Sequence, residues 1–198
     1  RAVMPTALPS VLSYRKLRGQ DKWDEMWDGV LHMPPMPNYD HQDLEGDLET
    51  FLRICWAKPI RGKVLHQVNV AAIGGWPDDY RIPDLVLLTR DRLQINRGEY
   101  LEGAPNVAVE IESPGDETRD KFPFYAGLGV PELWVIDRDT KEPEVYILRA
   151  GRYRKQKPAA GGWVRSPATG LEMRHAAGDK LSIRVIGKDA TRQDLPED

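Results

Sequence analysis

The chain has one cysteine, Cys55. An internal disulfide is therefore excluded, and no second thiol is available to begin a zinc site. Cys55 falls on an apolar stripe and reads as a small buried hydrophobe. No apolar run approaches the roughly 20 residues that a membrane-spanning helix needs. No basic-then-apolar signal segment opens the chain, so a cytoplasmic location is the expectation. Internal repeats and low-complexity tracts are absent. So are a P-loop, a GxGxxG turn and a GxSxG elbow, which removes the commonest nucleotide-binding and serine-hydrolase signatures. An excess of basic charge is also missing. The net charge is −3 and the pI about 5.9. A nucleic-acid ligand would then depend on local clusters. Arg149, Arg152, Arg154 and Lys155, followed by Lys157, form the densest one, and Arg15, Lys16 and Arg18 a second.

What the chain does have is an ordinary soluble composition, 40% hydrophobic and 30% charged over 198 residues. That fits one domain, residues 1–198, with a short polar tail from about residue 188 that is expected to fray. Trp23–Trp27 and Val30–Met33 flank Asp28-Gly29 and predict a hairpin. Pro34–Pro37 breaks regular structure. Leu44, Leu48, Phe51, Leu52 and Cys55 recur at helical spacing, which predicts a helix over 40–57 capped by Asn38 or Asp40. Strands are expected at Val64–Ile73, Ile82–Thr89 and Val107–Glu112. A second helix follows over Lys121–Leu128, capped by Asp120, with Pro123 tolerated in its first turn. Glu132–Asp137 reads as a strand, Glu144–Leu148 as an edge strand, and the remainder as irregular β-structure. The order implies an α/β fold, a mixed central sheet flanked by helices.

Two of these strands carry acid where apolar residues are expected. Ile82–Leu88 is apolar on both faces except at Asp84, and such a strand is usually central. A lone carboxylate there is costly unless it is paired or bound to a metal. In Val107–Glu112 the residues Val107, Val109 and Ile111 point one way, and Ala108, Glu110 and Glu112 the other. Glu110 and Glu112 then lie about 7 Å apart on one face. Crowded carboxylates raise one another's pKa, and a divalent cation relieves the repulsion. A buried ion pair with Arg or Lys and no metal is the competing explanation, as is a turn role for Asp84 after Pro83. Lys121 opens the next helix, where an ammonium can hold a phosphate.

These residues carry a resemblance. Pro83-Asp84 followed by Glu110-Ile111-Glu112 resembles the PD-(D/E)XK nuclease superfamily. The stretches DEMWDGVLHMPP, His41, RIPDLVLL and VAVEIESPGDETRDKFPFYAGLGVPELWVID, with the later GRY and RSP segments, are similar to the Uma-type family of restriction-endonuclease-like proteins. The resemblance runs from about Leu12 to Ile186 and implies a restriction-endonuclease-like core with extra C-terminal β-strands. It implies Asp84 and Glu110 as ligands of magnesium or manganese, with the Ile111 backbone carbonyl as a further oxygen. In the superfamily a lysine stands two residues after the acid, and here that position is Glu112. Lys121, four residues before Tyr125, takes the lysine's place in the Uma-type pattern. Glu112 is then either a further ligand or a salt-bridge partner that disables Lys121. Glu25, which precedes the family's Asp-Gly, either extends the metal site or supports the hairpin. His41 points inward and serves as a proton shuttle, as a support for a carboxylate or as a structural histidine.

The implied activity is metal-assisted hydrolysis of nucleic acid, with DNA as the expected polymer, no membrane partner, and a homodimer as the expected assembly. Two alternatives stand beside it. One is a binding or regulatory module that keeps the fold without turnover. The other is a structural homodimer with Trp134 and Trp163 at its interface.

Overall fold

The computed structural model describes residues 2–5 and 9–197. Its core sheet runs, in spatial order, Arg152–Lys155, Pro143–Arg149, Glu132–Asp137, Val107–Glu112, Leu85–Leu88 and Lys63–His66. Val107–Glu112 and Glu132–Asp137 are parallel, and every other neighbouring pair in this sheet is antiparallel. A parallel pair needs a crossover. The 3-10 turn Thr118–Lys121 and the helix Phe122–Leu128 supply it.

Strand alternation sorts the core into two faces. Val107, Val109, Ile111, Trp134 and Ile136 pack against Leu44, Leu48, Phe51 and Leu52 of the helix Tyr39–Leu52. Ala108, Leu133 and Val135 pack on the opposite face against Tyr125 and Phe122 of the short helix. The sheet is thus held between two helices of opposite faces. A four-stranded antiparallel sheet, Val164–Ser166, Leu171–Ala176, Lys180–Val185 and Lys188–Leu195, adds Leu171, Met173, Leu181 and Ile183 to the first face. A further mixed sheet of six short strands carries the hairpin Glu25–Trp27 and Val30–Met33.

Several elements differ from the sequence reading, each for a tertiary reason. The long helix is α-helical over Tyr39–Leu52 and continues as a π-turn over Arg53–Ala57. Asn38 caps its start by accepting from the His41 amide. Val64–Ile73 is two strands, Lys63–His66 and Asn69–Ala71, placed in different sheets. The turn at Gln67, with φ of 47°, parts them, and the Gln67 amide donates to the Asp84 carbonyl at 2.9 Å. Regular pairing of the next segment begins only at Leu85, so Asp84 stands just ahead of its strand. Asp120 caps nothing, because a 3-10 turn already feeds the short helix. Pro143–Arg149 is an interior strand, covered by Arg152–Lys155.

The expected polar tail is the strand Lys188–Leu195, whose Leu195 is buried, and the Glu197 amide donates to Asp47 at 2.6 Å. Helix Pro9–Leu17 and strand Ala2–Met4 had no periodic signal strong enough to expect them. Trp134 is wholly buried and Trp163 nearly so, which removes both from any exposed interface. Cys55 is half-buried at the margin of the core rather than within it.

Candidate functional site

The ends of the two acidic segments meet at one edge of the core sheet. Leu85 is paired with Val109, so Asp84 and Glu110 stand side by side across the ladder. One Asp84 oxygen accepts from the Ile111 amide at 2.6 Å, and the other lies 3.0 Å from His41 Nε2. Within a strand the amide and carbonyl of one residue face the same edge. The Ile111 carbonyl therefore shares the Asp84 edge. Glu110 turns toward the short helix and is buried. Its Oε1 accepts from the Tyr125 hydroxyl at 2.6 Å, and its Oε2 lies 3.1 Å from Lys121 Nζ. The i,i+4 spacing of Lys121 and Tyr125 sets both on the same carboxylate.

Lys121 has a second carboxylate, Glu25 Oε1, at 2.9 Å. Glu25 comes from the hairpin and is itself fully engaged. It accepts from the Ile82 amide and from Trp27 Nε1, each at 2.7 Å. With both oxygens occupied, Glu25 orients Lys121 instead of offering a lone pair to a cation.

Burial dominates the electrostatics. It pushes the Glu110 carboxyl up to about 8, with Asp84 and Glu25 adding to the rise and Lys121 opposing it. Burial would lower Lys121, but Glu110, Glu25 and Asp84 outweigh it and keep the ammonium charged. Burial and Glu110 hold the Tyr125 phenol well above its ordinary value, so it stays a donor. Burial opposes the charge on His41, and the Asp84 hydrogen bond outweighs it, raising the imidazole.

One functional residue escaped the sequence reading. Glu45 lies one helical turn after His41 and is buried. Burial, reinforced by Asp84, pushes its carboxyl up to about 7. Its Oε2 accepts from Gln67 Nε2 at 3.2 Å, whereas its Oε1 has no hydrogen-bond partner. His41, Glu45 and Asp84 each present a ligand atom, all within 4.8 Å of one another. The signal was available, since Glu45 adjoins Leu44 on the buried stripe, four residues from His41. An orphaned buried oxygen beside an imidazole and a second carboxylate fits a divalent cation, and oxygen donors with one nitrogen suit manganese as well as magnesium.

Other candidates lie elsewhere. Glu112 does not reach Lys121. It takes both prongs of Arg119, at 2.7 and 2.6 Å, and Arg119 goes on to Glu144 and the Tyr146 hydroxyl at 2.6 Å each. The disabling salt bridge is therefore absent, and Glu112 stands outside the cleft. Strand register puts Arg149, Arg152 and Arg154 on the sheet face opposite Glu110. Lys155 is on the Glu110 face, but its ammonium pairs with Glu144. The cleft itself has a volume of about 420 Å³. Asp84, Glu110, Lys121, Glu25 and His41 line one side, and Trp23, Ile82 and the Pro34–Pro37 segment line another.

Comparison with known proteins gives this architecture a family. No protein with a curated description matches the chain. A crystal structure described as "a putative nuclease belonging to DUF820" from Anabaena variabilis superposes with a TM-score of 0.58 at 19% identity. The match covers 73% of this chain and 82% of that one. At that identity the likeness is one of fold, a nuclease-like mixed α/β core to which this chain adds its C-terminal sheet. Residues 11–178 match the Uma2 family, described as "Putative restriction endonuclease", and the chain belongs to that family.

Proposed function

We propose that this protein hydrolyses phosphodiester bonds of nucleic acid, with DNA the expected polymer, using magnesium or manganese. The observation that carries the reading is the convergence of Asp84, Glu110 and Lys121 on one cleft from three separate segments. Asp84 and Glu110, the Ile111 carbonyl, and His41 with Glu45 would hold the cation. A bound divalent cation supplies Lewis-acid polarisation of the phosphate and a more acidic water. Lys121 contributes a fixed positive charge where charge builds on the phosphate. Glu25 keeps that ammonium in place when Glu110 is engaged elsewhere. Tyr125 aims the Glu110 carboxylate through the 2.6 Å hydrogen bond.

The test is cleavage of labelled DNA with magnesium or manganese by the wild type and by Asp84→Ala. Loss of cleavage in the variant is expected, and equal cleavage by both proteins would overturn the reading. A second reading, a binding module without turnover, is favoured by one observation. Lys121 is enclosed by two carboxylates, which competes with its access to a phosphate. Magnesium or manganese binding that is lost in Glu110→Ala would count against it.

A further inference from the structure

We propose that the nucleic acid entering this cleft is single-stranded, with one nucleotide seated against Trp23 and the Pro34–Pro37 ledge. The inference rests on the nuclease reading for the position of the phosphate. It goes further by naming the form of the substrate.

The first argument is depth. The side chains of Glu110, Lys121 and Asp84 are only 4%, 12% and 15% exposed. A duplex is stiff over a persistence length of about 50 nm. Its phosphates are set on a broad cylinder, so one phosphate cannot descend into a 420 Å³ cleft while its neighbours stay paired. A single strand can bend in.

The second argument is charge. Proteins that track a duplex neutralise several phosphates with Lys and Arg. Among the described residues, the cations lining this cleft are Lys121, Arg138 and His41. Lys121 is held by two carboxylates, His41 by Asp84, and Arg138 bonds Asp139 at 2.8 Å. The Arg149, Arg152 and Arg154 cluster is on the other sheet face. There is no basic track for a helical turn of duplex, only charge for one or two phosphates.

The third argument is the wall opposite the acids. Trp23 is fixed by a 3.0 Å hydrogen bond from its Nε1 to Gln67, and Lys22 Nζ stands 4.6 Å from its ring centroid. Met36, on the proline ledge, is 70% exposed. An indole with a nearby ammonium and a rigid apolar ledge suits an unpaired base beside its own phosphate. A paired base offers no free face there.

The experiment is fluorescence anisotropy with labelled oligo-dT, oligo-U and a duplex of matched length, in EDTA, repeated as a cleavage assay in manganese. Binding of a single strand at least tenfold tighter than the duplex is expected. The single-strand salt dependence should be shallow, a log–log slope of about −1 for one or two phosphates. The two single-strand arms decide between DNA and RNA. Trp23→Ala and the surface variant Met36→Asp should each weaken single-strand binding about tenfold, whereas Arg152→Ala should leave it unchanged. Duplex binding as tight as single-strand binding, or a loss confined to Arg152→Ala, overturns the proposal and leaves the nuclease reading intact. Single-strand binding without cleavage in manganese supports the proposal and removes the nuclease reading. Binding of neither form overturns both.

Discussion

The Asp84 carboxylate accepts the Ile111 backbone amide at 2.6 Å, a side chain completing a ladder that the backbone has left. Regular pairing stops at Leu85 and Val109. Asp84 continues it by one more bond and so holds the two acidic segments at a fixed separation. The residue therefore has two duties, one structural and one electrostatic, and they can be separated.

Asp84→Ala removes both. The Ile111 amide loses its acceptor, at a cost of about 1–3 kcal/mol. Asp84→Asn keeps an acceptor and removes the charge. Urea unfolding should show the Asn variant close to wild type and the Ala variant clearly weaker. Manganese titration calorimetry should show weakened binding in both. A normal calorimetric site in Asp84→Asn would mean that the charge is not used.

Cation binding should strengthen with pH. Glu45 at about 7 and Glu110 at about 8 are largely protonated at pH 6, and a cation must displace those protons. Affinity is expected to rise between pH 6 and about 9 and then level. Titrations in buffers of different ionisation enthalpy would count the protons released. A flat profile over that range would contradict the burial argument for both carboxylates.

Without a cation, the pH dependence of stability has the opposite sense. Glu45, Glu110 and His41 all have folded-state pKa values raised above their ordinary ones. Their contribution is complete below the ordinary values and is lost as pH rises through the folded ones. The lowered carboxyls, Glu144 at about 2 and Asp137 among them, act only in acid. The melting temperature in EDTA should therefore fall between about pH 5 and pH 8. Saturating manganese should reduce that fall. A rise with pH in EDTA would contradict the assignment.

Glu112→Ala should leave cation binding and cleavage unchanged. Its partner Arg119 is partly exposed and keeps Glu144, so the stability change should stay within about 1 kcal/mol. Loss of cation affinity in this variant would return Glu112 to the metal site.

Glu132 is the most demanding buried acid outside the cleft. It accepts from Ser166 Oγ, from the Ala168 amide at 3.0 Å and from Trp134 Nε1 at 2.5 Å, and so pins the C-terminal sheet to the core strand. Glu132→Ala strands three buried donors and should cost about 2–5 kcal/mol in denaturant unfolding. A change below about 1 kcal/mol would show that the donors find other partners.

The alternation of Val107–Glu112 was legible in the sequence, because a period of two assigns each side chain to a face wherever the strand lies. The same holds for the stripe of Leu44, Leu48 and Phe51, and for Asn38 as the cap of that helix. The acids at 84 and 110 were conspicuous for the same local reason, since charge interrupts an apolar pattern. Segments whose fate depends on a distant partner were not legible. Val64–Ile73 reads as one strand until Gln67 turns, and Lys188–Leu195 reads as a tail until Lys180–Val185 pairs with it.

By itself, then, the sequence determined which side chains face the core and which carboxylates have to be accounted for. Only the tertiary structure decided what those carboxylates do. Glu25 reaches the Ile82 amide 57 residues away and thereby becomes the support of Lys121. Glu112 is drawn off by Arg119, and Glu45 is left with an oxygen that no donor reaches. Hydrogen bonds of this kind form between groups brought together by the packing of a whole core, and no local period in a chain encodes them.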